Sequence, residues 1–163
     1  MIGEGTNDRP AWWKGRRGEW WVIGQLALMA AVLFAPAAWR WTVTRGVWIL
    51  LGALLVAAGL GLAAKGLRDL GSSLSPFPQP RRSGTLVHTG TYAAVRHPIY
   101  GGIIIASLGW ALWRTSGLHL LLTTALAAYL HAKSQHEETL LLDRFPEYAA
   151  YRMRTKRLIP WIL

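Results

Sequence analysis

The chain has 163 residues, of which 52% are hydrophobic and 16% charged, with ten tryptophans and a net charge of +10. Its mean hydropathy is +0.23. This length bounds it to one domain, and the composition selects a membrane protein over a soluble one. It has no cysteine, which excludes disulfides, thiolate catalysis and cysteine-bound metals.

Residues 1–19 are polar and Gly-rich and read as a flexible cytoplasmic N-terminus ahead of one membrane domain, 20–163. Four apolar segments follow, at 20–38, 46–64, 99–113 and 118–130. The first two approach the roughly 20 residues that cross a bilayer as a helix. The shorter last two, separated by Arg114-Thr115-Ser116-Gly117, read as a helical hairpin, tilted or in a locally thinned bilayer. The predicted fold is all-α and polytopic, with about four transmembrane helices and a cytoplasmic C-terminal helical segment. Residues 65–96 read as a long loop. Its alternating prolines, Pro76, Pro78 and Pro80, forbid a regular helix, and Gly84 and Gly90 are further loop signals. Loops of this length are frequently functional. Pro98 fits the first position of the third helix. The fourth helix meets no breaker until about Asp143, so it leaves the membrane and carries Lys133 to Glu138 into the cytosol. Phe145-Pro146 ends it, residues 147–157 form a short amphipathic helix with Tyr148 and Tyr151 on one side, and the hydrophobic tail 158–163 returns to the interface. No internal repeat is visible.

The charges orient these spans. An even number of crossings leaves only Arg40, Arg45 and Arg114 of the eighteen Lys and Arg on the far side, which makes both termini cytoplasmic. Trp20, Trp21, Trp39, Trp41, Trp48, Trp110 and Trp113 mark the borders as an aromatic belt. Arg16-Arg17, residues 22–34 and Ala35-Pro36-Ala37 also suit a cleaved signal peptide, but the later apolar segments favour a retained first span. Basic residues flanking spans point to anionic lipid headgroups, not to nucleic acid.

Polar chemistry gathers at two places on that cytoplasmic edge: Arg96-His97-Pro98-Ile99-Tyr100-Gly101-Gly102 and His136-Glu137-Glu138. Taken singly, the pieces are bland. Glu137 and Glu138 are helix-end residues balancing Lys133 and Arg144, His97 is a cap, and Tyr100 is an interfacial aromatic. Gly101, Gly102 and Ala106 have the small-residue spacing of close helix packing. Taken together they form one site. Neighbours on a helix diverge by about 100°, so only one of the two glutamates faces any given cavity. The inventory excludes other chemistries. There is no H-E-x-x-H and no Walker or Rossmann glycine loop, Ser107 and Ser134 lack a G-x-S-x-G context, and His97, His131 and His136 are too dispersed for a metal.

An ordered set of motifs spans 75–162: Leu86-Val87-x-x-Gly90-x-Tyr92, Arg96-His97-Pro98-x-Tyr100-x-Gly102, Glu137-Glu138-x-x-Leu141, Phe145-x-x-Tyr148-x-x-Tyr151 and Ile159-Pro160. This set resembles the isoprenylcysteine carboxyl methyltransferase and phospholipid methyltransferase group of integral membrane enzymes. The first two spans match that group only in being hydrophobic. The resemblance implies S-adenosylmethionine as methyl donor, held on the cytoplasmic side between the hairpin, the preceding loop and the C-terminal segment. Leu86 and Val87 would line the cofactor cleft with Tyr92 nearby, and His97, Pro98 and Tyr100 would contact the cofactor. Glu137 aligns with the group's cofactor-binding glutamate, with Glu138 as second choice. Lys133 falls where the group carries a basic residue toward the substrate, suited to an anionic headgroup or carboxylate. Three departures stand out: Thr91 where proline is frequent, Ala93-Ala94 smaller than usual, and Pro146 in place of a common glycine.

Methyl transfer from a sulfonium needs few acid–base groups, because alignment and water exclusion supply most of the catalysis. A polar donor from the cytosol and a lipophilic or lipidated acceptor from the bilayer explain an enzyme built in a membrane. The acceptor stays open between a prenylated cysteine, a phospholipid amine, a small thiol and an isoprenoid acid; no metal and no nucleic acid are expected. Two rival readings remain. An NADPH-dependent reductase resembling the steroid 5α-reductases would follow His-Pro with Asn-Tyr and an acidic residue, where this chain has Ile99 and Gly101-Gly102. A non-enzymatic membrane subunit would carry polar residues inside the spans, which are clean apart from Gln25 and some Ser and Thr.

Overall fold

The computed structural model describes residues 18–75, 77–78 and 85–158. The expected N-terminal tail before Gly18, most of the proline run, Gly84 and the tail containing Ile159-Pro160 lie outside the described residues. Five helices follow in order: α1 Glu19–Phe34, α2 Arg45–Leu70, α3 Pro98–Trp113, α4 Gly117–Arg144 and α5 Tyr148–Arg154. Short 3-10 turns sit at Gly71–Ser73 and Gly90–Ala93. The β pairing among the described residues is limited to two isolated bridges, Arg40 with Ser116 and Val95 with Lys156.

Three boundaries differ from the sequence reading. α1 stops at Phe34 and not at residue 38, because Pro36 disfavours a helical conformation at Ala35. α2 runs six residues past residue 64, to Leu70, since Lys65 and Arg68 are good helix formers and the first breaker is Gly71 at φ +51°. The loop therefore starts later, and its first anchor, Asp69, rides on the helix. The C-terminal helix is shorter than 147–157, because Thr155 turns extended and Lys156 pairs with Val95. Residues Arg45–Ser73 form one apolar stretch long enough to cross a bilayer, while α1 and α3 are shorter apolar helices. At 28 residues α4 is about 42 Å long, so its polar end reaches well past its apolar part.

The packing of α2 against α3 is built from absences. The buried residues of α2 are Gly52, Gly59 and Gly66, one every seventh position. A Cβ on Gly52 would lie 2.6 Å from the Gly109 carbonyl oxygen, and one on Gly102 would lie 2.6 Å from that of Gly59. The backbones thus touch at these glycines, the close approach that drives helix association in lipid. The large apolar residues of α2 point outward, with Leu50, Leu54 and Leu60 exposed. On the other flank Val32, Leu126 and Leu130 join α1 to α4, with Tyr100 and Ile103 of α3 packed against them. α1 packs mainly on α4 and hardly touches α2. At the far end Ser116 Oγ accepts from Ala38 N (3.2 Å) and donates to Ala38 O (2.8 Å), pinning the α3–α4 turn to the α1–α2 linker.

Candidate functional site

The opposite, polar end of the bundle is assembled from three pieces. The loop before α3 is tethered to α2 by Asp69, whose Oδ2 accepts from the Thr91 backbone N–H at 2.7 Å and from its hydroxyl at 2.8 Å. Those bonds give Thr91 a purpose: a proline at this position could donate neither. Gly90 at φ +62° makes the turn, and a side chain there would strike the Asp69 carboxylate.

The C-terminal segment forms the second piece. Arg96 N donates to Lys156 O (2.8 Å) and His97 N to Arg157 O (2.9 Å), laying residues 155–158 beside the start of α3. A Cβ on Gly101 would collide with the Leu158 carbonyl, so this glycine serves the docking. Tyr151 Oη donates to Tyr92 O at 2.6 Å and closes α5 onto the loop.

The third piece is the polar end of α4, where the two glutamates diverge. Glu138 is 2% exposed and enclosed by cations. Arg96 Nε donates to Oε1 at 2.9 Å, Arg157 Nε to Oε1 at 3.1 Å and Arg157 Nη2 to Oε2 at 3.2 Å. His97 Nε2 lies 3.3 Å from Oε1 and Arg152 Nε 3.5 Å from Oε2. Burial alone would raise the Glu138 pKa, but hydrogen bonds from His97, Arg96 and Arg157 outweigh it and hold the group at about 2. Arg96 Nη1 also donates to the carbonyls of Arg152 and Thr155, so this carboxylate and its guanidinium staple the C-terminal segment down.

Glu137 faces the other way, into a cavity of about 520 Å³. Tyr100 Oη donates to its Oε1 at 2.5 Å, His97 Nδ1 lies 3.5 Å from Oε2, and Lys133 Nζ stands 3.9 Å from Oε1. The His97 ring stacks parallel to Tyr100, 5.5 Å between centroids, and thereby stands between both glutamates. Lys133, 2% exposed, sits over the Tyr100 ring at 5.2 Å and donates to Gln25 Oε1 of α1 at 2.7 Å. Burial lowers the Lys133 pKa, with Glu137 pulling it back up. Tyr148 is fully buried, its Oη has no hydrogen-bond partner among the described residues, and burial pushes its pKa up, which keeps it a neutral donor.

Of the residues singled out from the sequence, Leu86, Val87, Tyr92, His97, Tyr100, Lys133 and Glu137 line this cavity. Pro98 does not; it is buried as the first residue of α3, and a Cβ on Gly66 of α2 would touch its ring at 3.1 Å. Sequence reasoning gave no site role to Gln25, Asp69, Arg152 or Arg157, and it named Arg96 in the polar cluster without its partner Glu138. It read Tyr148 and Tyr151 as one face of a helix and as part of the motif set, without a place in the cavity. Arg96 alone carried a signal, adjacency to His97; the others meet their partners across long chain separations. The cavity offers one carboxylate, one buried ammonium, one unpartnered phenol and several aromatic faces. That set suits binding a cationic, partly aromatic ligand. Among the described residues no group of three or more His, Cys, Asp or Glu is arranged to hold a metal ion.

The cobalt-zinc-cadmium resistance protein CzcN of Cupriavidus metallidurans is 31% identical over 89% of this chain and 63% of its own length. Methanethiol S-methyltransferase 1 of Bradyrhizobium diazoefficiens is 41% identical over 43% of this chain and 24% of its own. The chain therefore spans less than two thirds of the curated relatives it matches. The solved structure of the eukaryotic intramembrane Ras methyltransferase ICMT superposes with a TM-score of 0.61 at 21% identity, over 89% of this chain and 52% of that one. Its likeness is one of fold. Residues 47–147, which carry α2, the loop, α3 and α4, match the phospholipid methyltransferase family, and the chain belongs to that family of integral membrane methyltransferases.

Proposed function

We propose that this protein is an S-adenosylmethionine-dependent methyltransferase, acting at the cytoplasmic membrane face on a lipophilic acceptor that arrives from the bilayer. In this reading residues 20–163 are one domain with about four crossings, and both termini are cytoplasmic. The observation that carries the proposal is Glu137, a carboxylate 13% exposed that faces the cavity between Tyr100, His97 and Lys133. A sulfonium and an ammonium group favour such a carboxylate.

The residues present fit the cofactor. A cavity of about 520 Å³ lies within the roughly 300–1,000 Å³ common for cofactor sites. Glu137 would meet the positive charge, Leu86, Val87 and Tyr92 would flank the adenosine, and the unpartnered Tyr148 hydroxyl is ready for an acceptor atom. Bound there, the cofactor supplies an already activated methyl group. The chain's own residues do the rest: His97 and Tyr100 fix Glu137, the Asp69–Thr91 tether holds the loop wall, and the docked C-terminal segment excludes water. Holding acceptor and methyl in line supplies most of the rate in such a reaction.

The test is binding of radiolabelled S-adenosylhomocysteine to the purified full chain. Micromolar binding in the wild type, lost in Glu137→Gln at unchanged expression and with a melting temperature within about 4 °C of wild type, is the expected result. Absence of binding in the wild type, or unchanged binding in the variant, overturns the assignment.

A further inference from the structure

The cavity has a wall that the family match does not include. α1 precedes residues 47–147, yet Val22, Gln25 and Leu26 line the cavity opposite Leu67 and Leu70 of α2. α1 and α2 hardly touch, so apolar side chains of two separate helices contribute to this wall. Gln25, the one long polar side chain in the first span, is held at 2.7 Å by the buried Lys133 ammonium. That bond occupies one of three N–H donors. Glu137 at 3.9 Å is outside hydrogen-bond range, and the Tyr100 ring takes a face contact only. Arg96 also borders the cavity, but its Nε is committed to Glu138 and its Nη1 to the carbonyls of Arg152 and Thr155.

Resting on the proposed function, we infer that the Gln25–Lys133 pair is the acceptor's recognition site and that the acceptor is an anionic nucleophile, a thiolate or carboxylate on an apolar group, and not an amine. The charge balance favours it. Glu137 is matched by the donor's net positive charge, which leaves the buried Lys133 ammonium without a counter-charge among the described residues, and an unpaired buried cation is strongly unfavourable. An anion on Lys133 restores neutrality, with its apolar group along Val22, Leu26, Leu67 and Leu70. A protonated amine would add a further cation beside Lys133 and the donor's sulfonium. The step then balances without proton transfer. The acceptor's lone pair forms the bond to the methyl carbon while the donor's carbon–sulfur bond breaks, its electron pair staying on sulfur. An anion and a sulfonium become a neutral ester or thioether and a neutral thioether. Lys133 also favours the thiolate over the thiol.

The experiment uses the full chain in nanodiscs, with hexanethiol, hexanoate and hexylamine as matched probes. Methyl transfer from radiolabelled S-adenosylmethionine is scored beside equilibrium dialysis of each labelled probe, which reads preference without turnover. The wild type is expected to bind and methylate hexanethiol or hexanoate, the product identifying which, at least tenfold better than hexylamine. Lys133→Met and Gln25→Leu are expected to lower kcat/KM and binding for the anionic probe at least tenfold, with S-adenosylhomocysteine affinity within twofold and Lys133→Arg restoring part of the loss. Retained S-adenosylhomocysteine affinity also shows that the variants are folded. Preference for hexylamine, or no anion preference in dialysis, overturns the inference while leaving the cofactor reading intact. Loss of S-adenosylhomocysteine binding in Lys133→Met, at a melting temperature equal to wild type, assigns Lys133 to the donor and overturns it too. A fall in that melting temperature passes the decision to Gln25→Leu, where unchanged anion binding is the overturning result. A wild type that binds no S-adenosylhomocysteine fails the proposed function itself.

Discussion

Replacing Glu138 by glutamine keeps the shape and removes the charge at the most enclosed polar position of the site. The wild-type carboxylate is held at about 2 against an ordinary 4.5. At about 1.4 kcal/mol per unit that difference corresponds to roughly 3 kcal/mol. Breaking a buried ion pair by removing one partner typically costs 3–5 kcal/mol, so the two routes agree. Glu138→Gln should therefore lower the melting temperature by about 6–12 °C at pH 7, at some 2–4 °C per kcal/mol for a chain of this size. The sign with pH follows from a depressed carboxylate. Its stabilisation is fully present above the unfolded value near 4.5 and is lost as pH falls from there toward 2. The gap between wild type and variant should thus be full at pH 6 to 7 and narrow steadily below pH 4.5. Thermal unfolding in detergent across that range measures it, with proteolysis after Arg152 and Arg154 as a local readout of the released C-terminal segment. An equal melting temperature at pH 7, or a gap that stays constant down to pH 3, would refute the argument that Glu138 anchors this segment by charge.

Three further outcomes follow from named contacts. Gly109→Ala puts a Cβ 2.6 Å from the Gly52 carbonyl oxygen and should cost about 1–3 kcal/mol, whereas Gly61→Ala, with open space around it, should be neutral or stabilising by up to about 1 kcal/mol; thermal shifts of the pair decide it. Tyr151→Phe removes the bond to Tyr92 O and should weaken S-adenosylhomocysteine binding about fivefold, for a loss of about 1 kcal/mol. Asp69→Ala frees the Thr91 loop and should raise the KM for S-adenosylmethionine several-fold; because it leaves the N–H and hydroxyl of the buried Thr91 without their acceptor, it should also cost about 1–3 kcal/mol, read by thermal unfolding.

The helices were legible where their signals are local. Pro98 opens α3, Arg114 to Gly117 turn the chain, and the unbroken run to Arg144 carries α4 beyond its apolar part. The end of α2 was misplaced because charge was taken as the mark of a helix end. Charge marks an interface, while Gly71 marks the end of the helix. The glycines at 52, 59 and 66 were in plain view, yet their meaning depends on Gly102 and Gly109 in another segment, and a hydrophobic run conceals its own seam. The cluster around Glu137 was readable because Arg96 to Gly102 and Glu137-Glu138 are each compact motifs. The cage around Glu138 was not, because Arg152 and Arg157 reach it only after the backbone of residues 155–158 docks on Arg96 and His97.

The separate duties of Glu137 and Glu138 follow from the phase of α4. Leu126, Leu130, Ser134 and Glu138 fall at successive i+4 positions, and all are buried. The stripe that packs the apolar part of the helix continues into its polar end and delivers Glu138 into protein, where Arg96, Arg157 and His97 satisfy it. One residue back, about 100° around the helix, Lys133 and Glu137 form the adjacent i+4 pair toward the cavity and α1. The two carboxylates should therefore separate experimentally. Glu137→Gln keeps an acceptor for the Tyr100 hydroxyl but removes the charge 3.9 Å from Lys133, so its melting temperature should fall by up to about 4 °C, a change of about 1 kcal/mol and clearly less than for Glu138→Gln. It loses a charge-assisted contact worth about 1.5–3 kcal/mol, so S-adenosylhomocysteine should bind about 10- to 150-fold more weakly. Isothermal titration alongside thermal unfolding reads both quantities on one sample. If Glu137→Gln unfolds as early as Glu138→Gln, or if Glu138→Gln loses ligand while keeping its melting temperature, then helix phase does not divide their roles.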